Sequence, residues 1–402
     1  MNTTCDVLVI GAGVAGTSAA VAAARGGART ILIEKERYLG GTGYAGMLQY
    51  ICGLYLNADG VPTETLNPGV TREITELLRK ASPNRTVKKI GQVYVLPYTR
   101  DDLQSVLTAL CSAEKDLKLL RGYSVVAVTM ENMGIRDTTV EGLHGMQVIA
   151  PTMLIDCSGD GSVAAMAGAP FDLTLKEEQQ LAGFVVHVKG LKNVDESLSI
   201  KVPYALAQAV SQGIFASTVK ITSFSHGEAT DEGYCKMSIS SVDGAPGVEA
   251  ARADADAVIR YLASVLPSFE GATIADTSLK VLEREGRRVI GEYMLTKEDV
   301  LSARKFPDGV VKNSWPIELW DRPKGPSYQY VPRGDYYEIP FRCLMVKGIT
   351  NLLTAGRCIS VTHEALGSTR VMGTCMALGD QAGRAAAYRV RNGKYPENMK
   401  EY

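Results

Sequence analysis

Residues 5–36 read CDVLVIGAGVAGTSAAVAAARGGARTILIEKE, and the order of the parts decides the fold. Residues 6–10 (DVLVI) are a short β-branched run, read as a strand. Gly11, Gly13 and Gly16 follow as G-x-G-x-x-G, residues 17–25 are small and helix-forming, and Gly26-Gly27 is a stop signal. TILIE is a second strand ending at Glu34, about 20 residues after the central glycine, the spacing a dinucleotide site requires. Gly11 permits the tight turn, Gly13 lets a pyrophosphate approach the backbone, and Gly16 lets helix and strand pack closely. The first helical residues, Val14 and Ala15, lie where free N–H groups meet phosphates. Glu34, with Lys35 beside it, is placed to accept from ribose hydroxyls and to repel a 2′-phosphate, so NADP is not expected. The glycine motif does not by itself separate NAD from FAD.

Working outward, EKERYLGGTGYAGM (34–47) holds a second glycine turn, with Gly40, Gly41 and Thr42. It would supply further N–H and hydroxyl donors to a long ligand; an ordinary loop after the strand is the alternative. Residues 102–135 read as a helix and then strands. Residues 140–162 read as a hairpin-like pair whose last strand, MLID, empties into the turn Gly159-Asp160-Gly161. Open α/β sheets bind ligands at such strand ends.

The whole chain has 402 residues, 46% hydrophobic and 22% charged, with a formal net charge of −1. That describes an ordinary globular protein of two or three domains. With no long basic run, neither nucleic acid nor an anionic membrane surface is an expected partner. The apolar stretch 7–25 lacks a basic leader and is broken by glycines, so it is not read as a signal peptide. No run of about 20 uninterrupted apolar residues suggests a membrane span. The eight cysteines include no CxxC and no zinc spacing. No metal is expected, and a reducing, cytoplasmic setting is the simplest reading. No second GxGxxG lies mid-chain, which argues against a built-in NAD(P)H domain.

Three segments carry a resemblance: DCSGDG (156–161), REGRRVIGEYMLTKEDVLSARKFPD (284–308) and LTAGRCISVTHEALGSTRVMGTCMALGDQAGRAA (353–386). Together they resemble FAD-dependent oxidoreductases of the glutathione-reductase-like structural group. More narrowly they are similar to the family with an ATGD-like strand end, a RESRR segment and an AGRCIS…HEALGS…R signature. The resemblance spans nearly the whole chain. It implies an α/β fold: a Rossmann-like, three-layer FAD-binding domain with a mostly parallel sheet, formed by residues 1–165 and 347–402, with a cap-like insertion near 45–98. Residues 166–346 would be an inserted substrate domain, a mostly antiparallel sheet plus helices. FAD is the implied cofactor. By position, the Val125 backbone would meet adenine, Gly159 would sit in the strand-end turn, and Gly356 and Arg357 would form a second flavin-contacting turn. LLTAGR reads as a strand and TCMALGDQAGRAAAYRV as a helix, whose small residues would pack on the sheet or the cofactor. Its start, near Gly373-Thr374, would aim N–H groups at the flavin pyrimidine.

For chemistry, His363 is the leading acid/base candidate, set against a histidine that merely holds a loop. Arg370 is a candidate cation for the flavin O2 or a substrate carboxylate, set against bonding only to the signature's own carbonyls, and Tyr44 is a candidate substrate-facing hydroxyl. Arg284, Arg287 and Arg288 have helical spacing and read as one face, more readily salt-bridged than functional. Cys52 reads as a buried thiol. The Pro- and aromatic-rich stretch 313–340 reads as a lid, a subunit contact of a homo-oligomer, or an ordered loop. Within it, IELW places Trp320 where relatives commonly carry His. The reading is a hydride-transferring flavoenzyme, a dehydrogenase or oxidase, acting on a small organic molecule, with an acid or amine mildly preferred. Alternatives are a reductase fed by an electron partner, and a protein using FAD structurally or in cofactor biosynthesis.

Overall fold

The computed structural model describes residues 2–239, 247–321 and 325–400. Arg322, Pro323 and Lys324, inside the aromatic stretch, lie outside them. The main sheet contains β1 (Asn2–Ile10), β2 (Thr30–Glu34), β3 (Leu117–Arg121), β4 (Tyr123–Glu131), β5 (Gly134–Gly142) and β6 (Gly145–Asp156), in the order β3-β2-β1-β6-β5-β4. β1 is parallel to β2 and β6, and β2 is parallel to β3. A last strand, β13 (Leu352–Thr354), adds in parallel to the end of β6, opposite Leu154–Asp156. The C-terminal segment therefore returns to the N-terminal sheet. β4, β5 and the start of β6 form an antiparallel meander.

The alternation along β1 explains the layers. Val7 and Val9 pack with helices α1 (Val14–Arg25) and α8 (Met372–Asn392), while Leu8 and Ile10 pack against the meander. Helix α1 begins at Val14, directly after Gly13, which takes the extended N-cap conformation. Between β2 and β3 come α2 (Val70–Ala81) and α3 (Arg100–Ala113), which complete the helical layer.

Helix α8 packs on the sheet, as expected, and its Gly379 and Gly383 bring it against α1 as well. A Cβ on Gly379 would lie 1.9 Å from the Ala15 carbonyl oxygen, and one on Gly383 2.1 Å from that of Ala19. Two i, i+4 rows thus meet backbone to backbone.

A second unit begins after α4 (Ser162–Met166). Its antiparallel sheet has the order β8-β9-β7-β10, from β7 (Ala182–Lys189), β8 (Ser223–His226), β9 (Glu232–Ile239) and β10 (Thr273–Thr277). One face packs on α5 (Leu198–Ser211) and α6 (Val248–Val265), through Phe184, Val186, Cys235 and Met237 among others. A hairpin, β11 (Ile317–Asp321) with β12 (Gly325–Gln329), follows. Side chains between Leu295 and Leu344, including Val311, Tyr337 and Phe341, join the α1/α8 core rather than that of the second unit.

Candidate functional site

A cavity of about 600 Å³ runs across the C-terminal ends of the parallel strands and under the second sheet, within the usual range for ligand sites. At one end lie Glu34, Lys35, Tyr123, Ser124 and Val125. Glu34 is 7% exposed; its Oε2 accepts from the Ala12 N–H at 2.6 Å and its Oε1 from the Glu36 N–H at 2.9 Å. The carboxylate thereby fixes the glycine turn it faces.

The middle of the cavity is made by glycine turns from both ends of the chain. Gly11, with φ +95°, is held by its N–H to the Ile33 carbonyl. The Gly40 N–H donates to the Ala12 carbonyl at 2.8 Å. A Cβ on Gly41 would lie 3.1 Å from Gly13 Cα, and one on Gly356 3.1 Å from the Ala15 methyl. Three turns are therefore brought close together on backbone whose positive φ at Gly11, Gly40, Gly41 and Gly356 favours glycine. Gly11, Gly13, Val14, Ala15, Gly40, Thr42, Gly159, Gly356 and Arg357 line the cavity; Gly41 supports Gly13 and is not itself in the lining. No side chain caps α1, so its first N–H groups remain available to an anion. Asp156, fully buried, shapes the neighbouring turn: Oδ2 accepts from Val163 and Ala164 at 2.9 and 3.0 Å, and Oδ1 from Ser158 at 3.0 Å.

Gly373 and Thr374 lie just inside α8, but neither lines the cavity. The Gly373 N–H is taken by the Cys52 carbonyl at 2.9 Å, and Val371, Met372 and Cys375 form the wall there. His363 and Tyr44 are also outside the lining. His363, at the start of α7 (His363–Thr369), sits 3.0 Å from Glu285 Oε2 and 3.1 Å from Thr174 Oγ1. The Glu285 hydrogen bond outweighs burial and raises the histidine above its ordinary pKa. Tyr44 stacks on Tyr38, centroids 4.8 Å apart. The structure thus leaves Arg370 as the one of the three chemical candidates that lines the cavity.

Residues 284–288 are not helical, contrary to the expected arginine face; the segment bends at Arg284, is irregular, and ends in the short strand Arg288–Val289. The three arginines therefore part. Arg288, 2% exposed, bonds Asp172 and Thr174. Arg287 pairs with Asp160. Arg284 enters the cavity.

At the end of the cavity away from Glu34, the second unit and the β11–β12 hairpin contribute Lys236, Arg284, Glu318 and Trp320, beside Arg370 and Cys52. Lys236 lies between Cys235 and Met237, which both enter the second core, so the strand period turns it the other way. The Arg284 guanidinium carbon is 4.1 Å, and Lys236 Nζ 4.8 Å, from the Trp320 ring centroid. The Trp320 indole N–H donates to Glu318 Oε1 at 2.7 Å. Arg370 donates to two backbone carbonyls, of Arg284 at 3.1 Å and of Glu318 at 2.8 Å. It is a staple between two loops as well as a cation. Burial pushes Lys236 down to about 8, with Arg284 adding to the shift and Glu318 opposing it. Burial also lowers Arg284 and Arg370, though a guanidinium stays charged. Burial acts to raise Glu318, but Arg370 and Lys236 outweigh it, and the net direction is down. Sequence reading passed over Lys236 and Glu318; the period-2 pattern CKMSI was the available signal for the lysine.

The thiols are not poised for nucleophilic work. All eight cysteines are free, and burial pushes Cys52 and Cys375 up to about 12. Among the described residues, no group of His, Cys, Asp and Glu is placed to hold a metal, and no helix is long and apolar enough to cross a membrane.

Solved structures share this fold at low identity. A geranylgeranyl bacteriochlorophyll reductase-like protein from Thermoplasma acidophilum matches with TM-score 0.54 and 13% identity, over 99% of this chain and 82% of that one. OxyS anhydrotetracycline hydroxylase from Streptomyces rimosus matches with TM-score 0.55 and 14% identity, over 99% of this chain and 65% of that one. A triple mutant of the flavin-dependent brominase Bmp2 matches with TM-score 0.52 and 12% identity, over 98% and 83%. No curated protein matches. The model of the family described as FAD dependent oxidoreductase matches residues 6–401. With that match over nearly all of a chain whose two ends meet around a glycine-lined cavity, the protein belongs to the FAD dependent oxidoreductase family and is a flavoenzyme with FAD as its cofactor.

Proposed function

We propose that the cavity holds FAD lengthwise and that the enzyme moves a hydride between the flavin and a small organic substrate bound under the second sheet. The observation that carries the reading is the three-turn glycine floor at Gly11–Gly13, Gly40–Gly41 and Gly356, continuous with the Glu34 end and the cationic end of one cavity. The residues fit the group. Glu34 suits ribose hydroxyls, and the Val125 strand suits adenine. The uncapped start of α1, at Val14 and Ala15, suits the pyrophosphate. Val371, Met372 and Cys52 would wall the ring end, with Gly356 and Arg357 alongside. Bound there, FAD supplies two-electron chemistry at N5.

The chain's own part is to hold, orient and exclude water. Arg357 Nε donates to the Gly159 carbonyl at 2.7 Å and its Nη1 to that of Glu283, so it ties the strand-end turn to the Arg284 segment. Arg370 ties Arg284 to Glu318. These two arginines are positioning residues for the substrate end. His363, bonded to Glu285 and away from the cavity, holds the fold rather than a substrate proton. Membership of the glutathione-reductase-like group, with the AGRCIS…HEALGS…R signature placing Gly356, Arg357 and Arg370 at the site, is part of the same proposal. The test is direct: purify the protein, remove the flavin, titrate FAD back, then look for anaerobic bleaching by a panel of small donors. A folded protein that takes up no FAD, or a flavin that no donor or reductant reaches, overturns the reading.

A further inference from the structure

We propose that the cavity end formed by Arg284, Lys236 and Trp320 is a carboxylate-binding subsite, and hence that the substrate is a small organic acid. This rests on the placement of FAD proposed above. Three cations, Lys236, Arg284 and Arg370, line this end, against two carboxylates, Glu318 and the solvent-exposed Glu283 beside Arg284. Among the described residues no carboxylate lies within ion-pair distance of any of the three. Glu318 has one oxygen committed to the Trp320 indole N–H at 2.7 Å. All three are partly buried, and withdrawing unpaired cations from water is costly.

The cations differ in what they leave free. Arg370 spends two N–H groups on backbone carbonyls. Arg284 spends one on the Leu181 carbonyl and lies against Trp320, which fixes the guanidinium plane while other donors remain open. The absence of a side chain at Gly183 leaves room beside it: a Cβ there would lie 3.6 Å from Arg284 Nη2. Lys236 Nζ faces the same ring, with no acceptor among the described residues. A flat guanidinium fork, with an ammonium held over the same indole ring, suits a planar carboxylate. The oxidised flavin ring is neutral, and its phosphates belong at the other end, on α1. The missing negative charge is therefore the substrate's.

The experiment uses the FAD-loaded enzyme. Benzoate, acetate and succinate are titrated while the oxidised-flavin absorption spectrum is followed, with benzamide and inorganic phosphate as comparators. The expected result is saturable perturbation by at least one carboxylate, with benzamide at least about tenfold weaker, since a charge-assisted pair is lost. Arg284→Met should weaken the carboxylate about ten- to a hundredfold while the flavin stays bound. Lys236→Met serves as a second variant should that protein fail to fold, and the wild-type comparison of acid with amide stands without either. Equal binding of benzoate and benzamide, no response to any carboxylate in a yellow enzyme, or tighter binding of phosphate than of every carboxylate would overturn the inference. So would an Arg284→Met enzyme that changes only the flavin midpoint potential, because the cations would then serve the reduced flavin. A protein that never becomes yellow would instead defeat the FAD placement.

Discussion

Replacing Gly379 by alanine should destabilise this protein and loosen its cofactor, although the same change on an open helix stabilises by about 1 kcal/mol. The added Cβ would stand 1.9 Å from the Ala15 carbonyl oxygen. Restoring a carbon–oxygen separation of about 3.3 Å requires α1 and α8 to part by about 1.4 Å. Neither side can yield by rotating a side chain, because the obstruction is backbone. Overpacking of this kind costs about 1–3 kcal/mol. Taking the upper end for a backbone clash and subtracting the propensity gain leaves about 2 kcal/mol. For a chain of 402 residues that is a fall in Tm of about 2 °C. Ala15 also lines the cavity, so moving it should narrow the gap between FAD-loaded and FAD-free melting temperatures. Gly383→Ala meets Ala19, one turn further along α1 and outside the lining, at 2.1 Å. It should lower Tm by a similar amount with less effect on that gap. Thermal unfolding with and without FAD checks both. A neutral or stabilising Gly379→Ala would refute the backbone-to-backbone packing of the two helices.

Glu34→Gln keeps the shape but removes the charge that the Ala12 N–H meets at 2.6 Å; FAD affinity should fall about tenfold or more by equilibrium titration, the cost of a charge-assisted bond. Gly16→Ala would drive a Cβ to 1.7 Å from the Gly11 carbonyl oxygen, and should yield protein that is poorly folded or free of flavin, as read by absorbance after gel filtration. The His363–Glu285 pair predicts a pH profile. His363 is raised above 6.5, so its contribution is complete below that value and is lost as pH rises through the folded-state value. Burial acts to raise Glu285, but its His363 bond and the Gln180 N–H outweigh this and lower it below 4.5, so its contribution is complete above that value and is lost as pH falls through the depressed one. The pair is most stabilising between about pH 4.5 and 6.5, and Glu285→Gln should abolish the loss of stability on the alkaline side of that window. Arg370→Lys should not be conservative: an ammonium cannot span the Arg284 and Glu318 carbonyls as the fork does, and substrate KM should rise with the flavin still bound.

Much of the cofactor half was legible in the chain because its determinants are local. The G-x-G-x-x-G turn, the strand period of DVLVI and TILIE, and Glu34 at the second strand's end are spaced by backbone geometry alone, and they led directly to the parallel sheet and the Glu34 end of the cavity. The small residues of α8 were legible as close packing but not as packing on α1, since nothing in 374–390 names its neighbour. At the cationic end of the cavity the order reversed. His363 and Tyr44 stood out by residue type, yet one is bonded to Glu285 and the other stacks on Tyr38. Lys236 and Glu318, unremarkable in their own segments, converge with Arg284 and Trp320 from strands and loops separated by dozens of residues. Short-range pattern determines strand, turn and helix; which side chains share a desolvated volume depends on how sheets and hairpins dock over long sequence separations. The chain by itself therefore specified a dinucleotide-binding flavoenzyme fold, and only the tertiary packing decided which charges share the cavity.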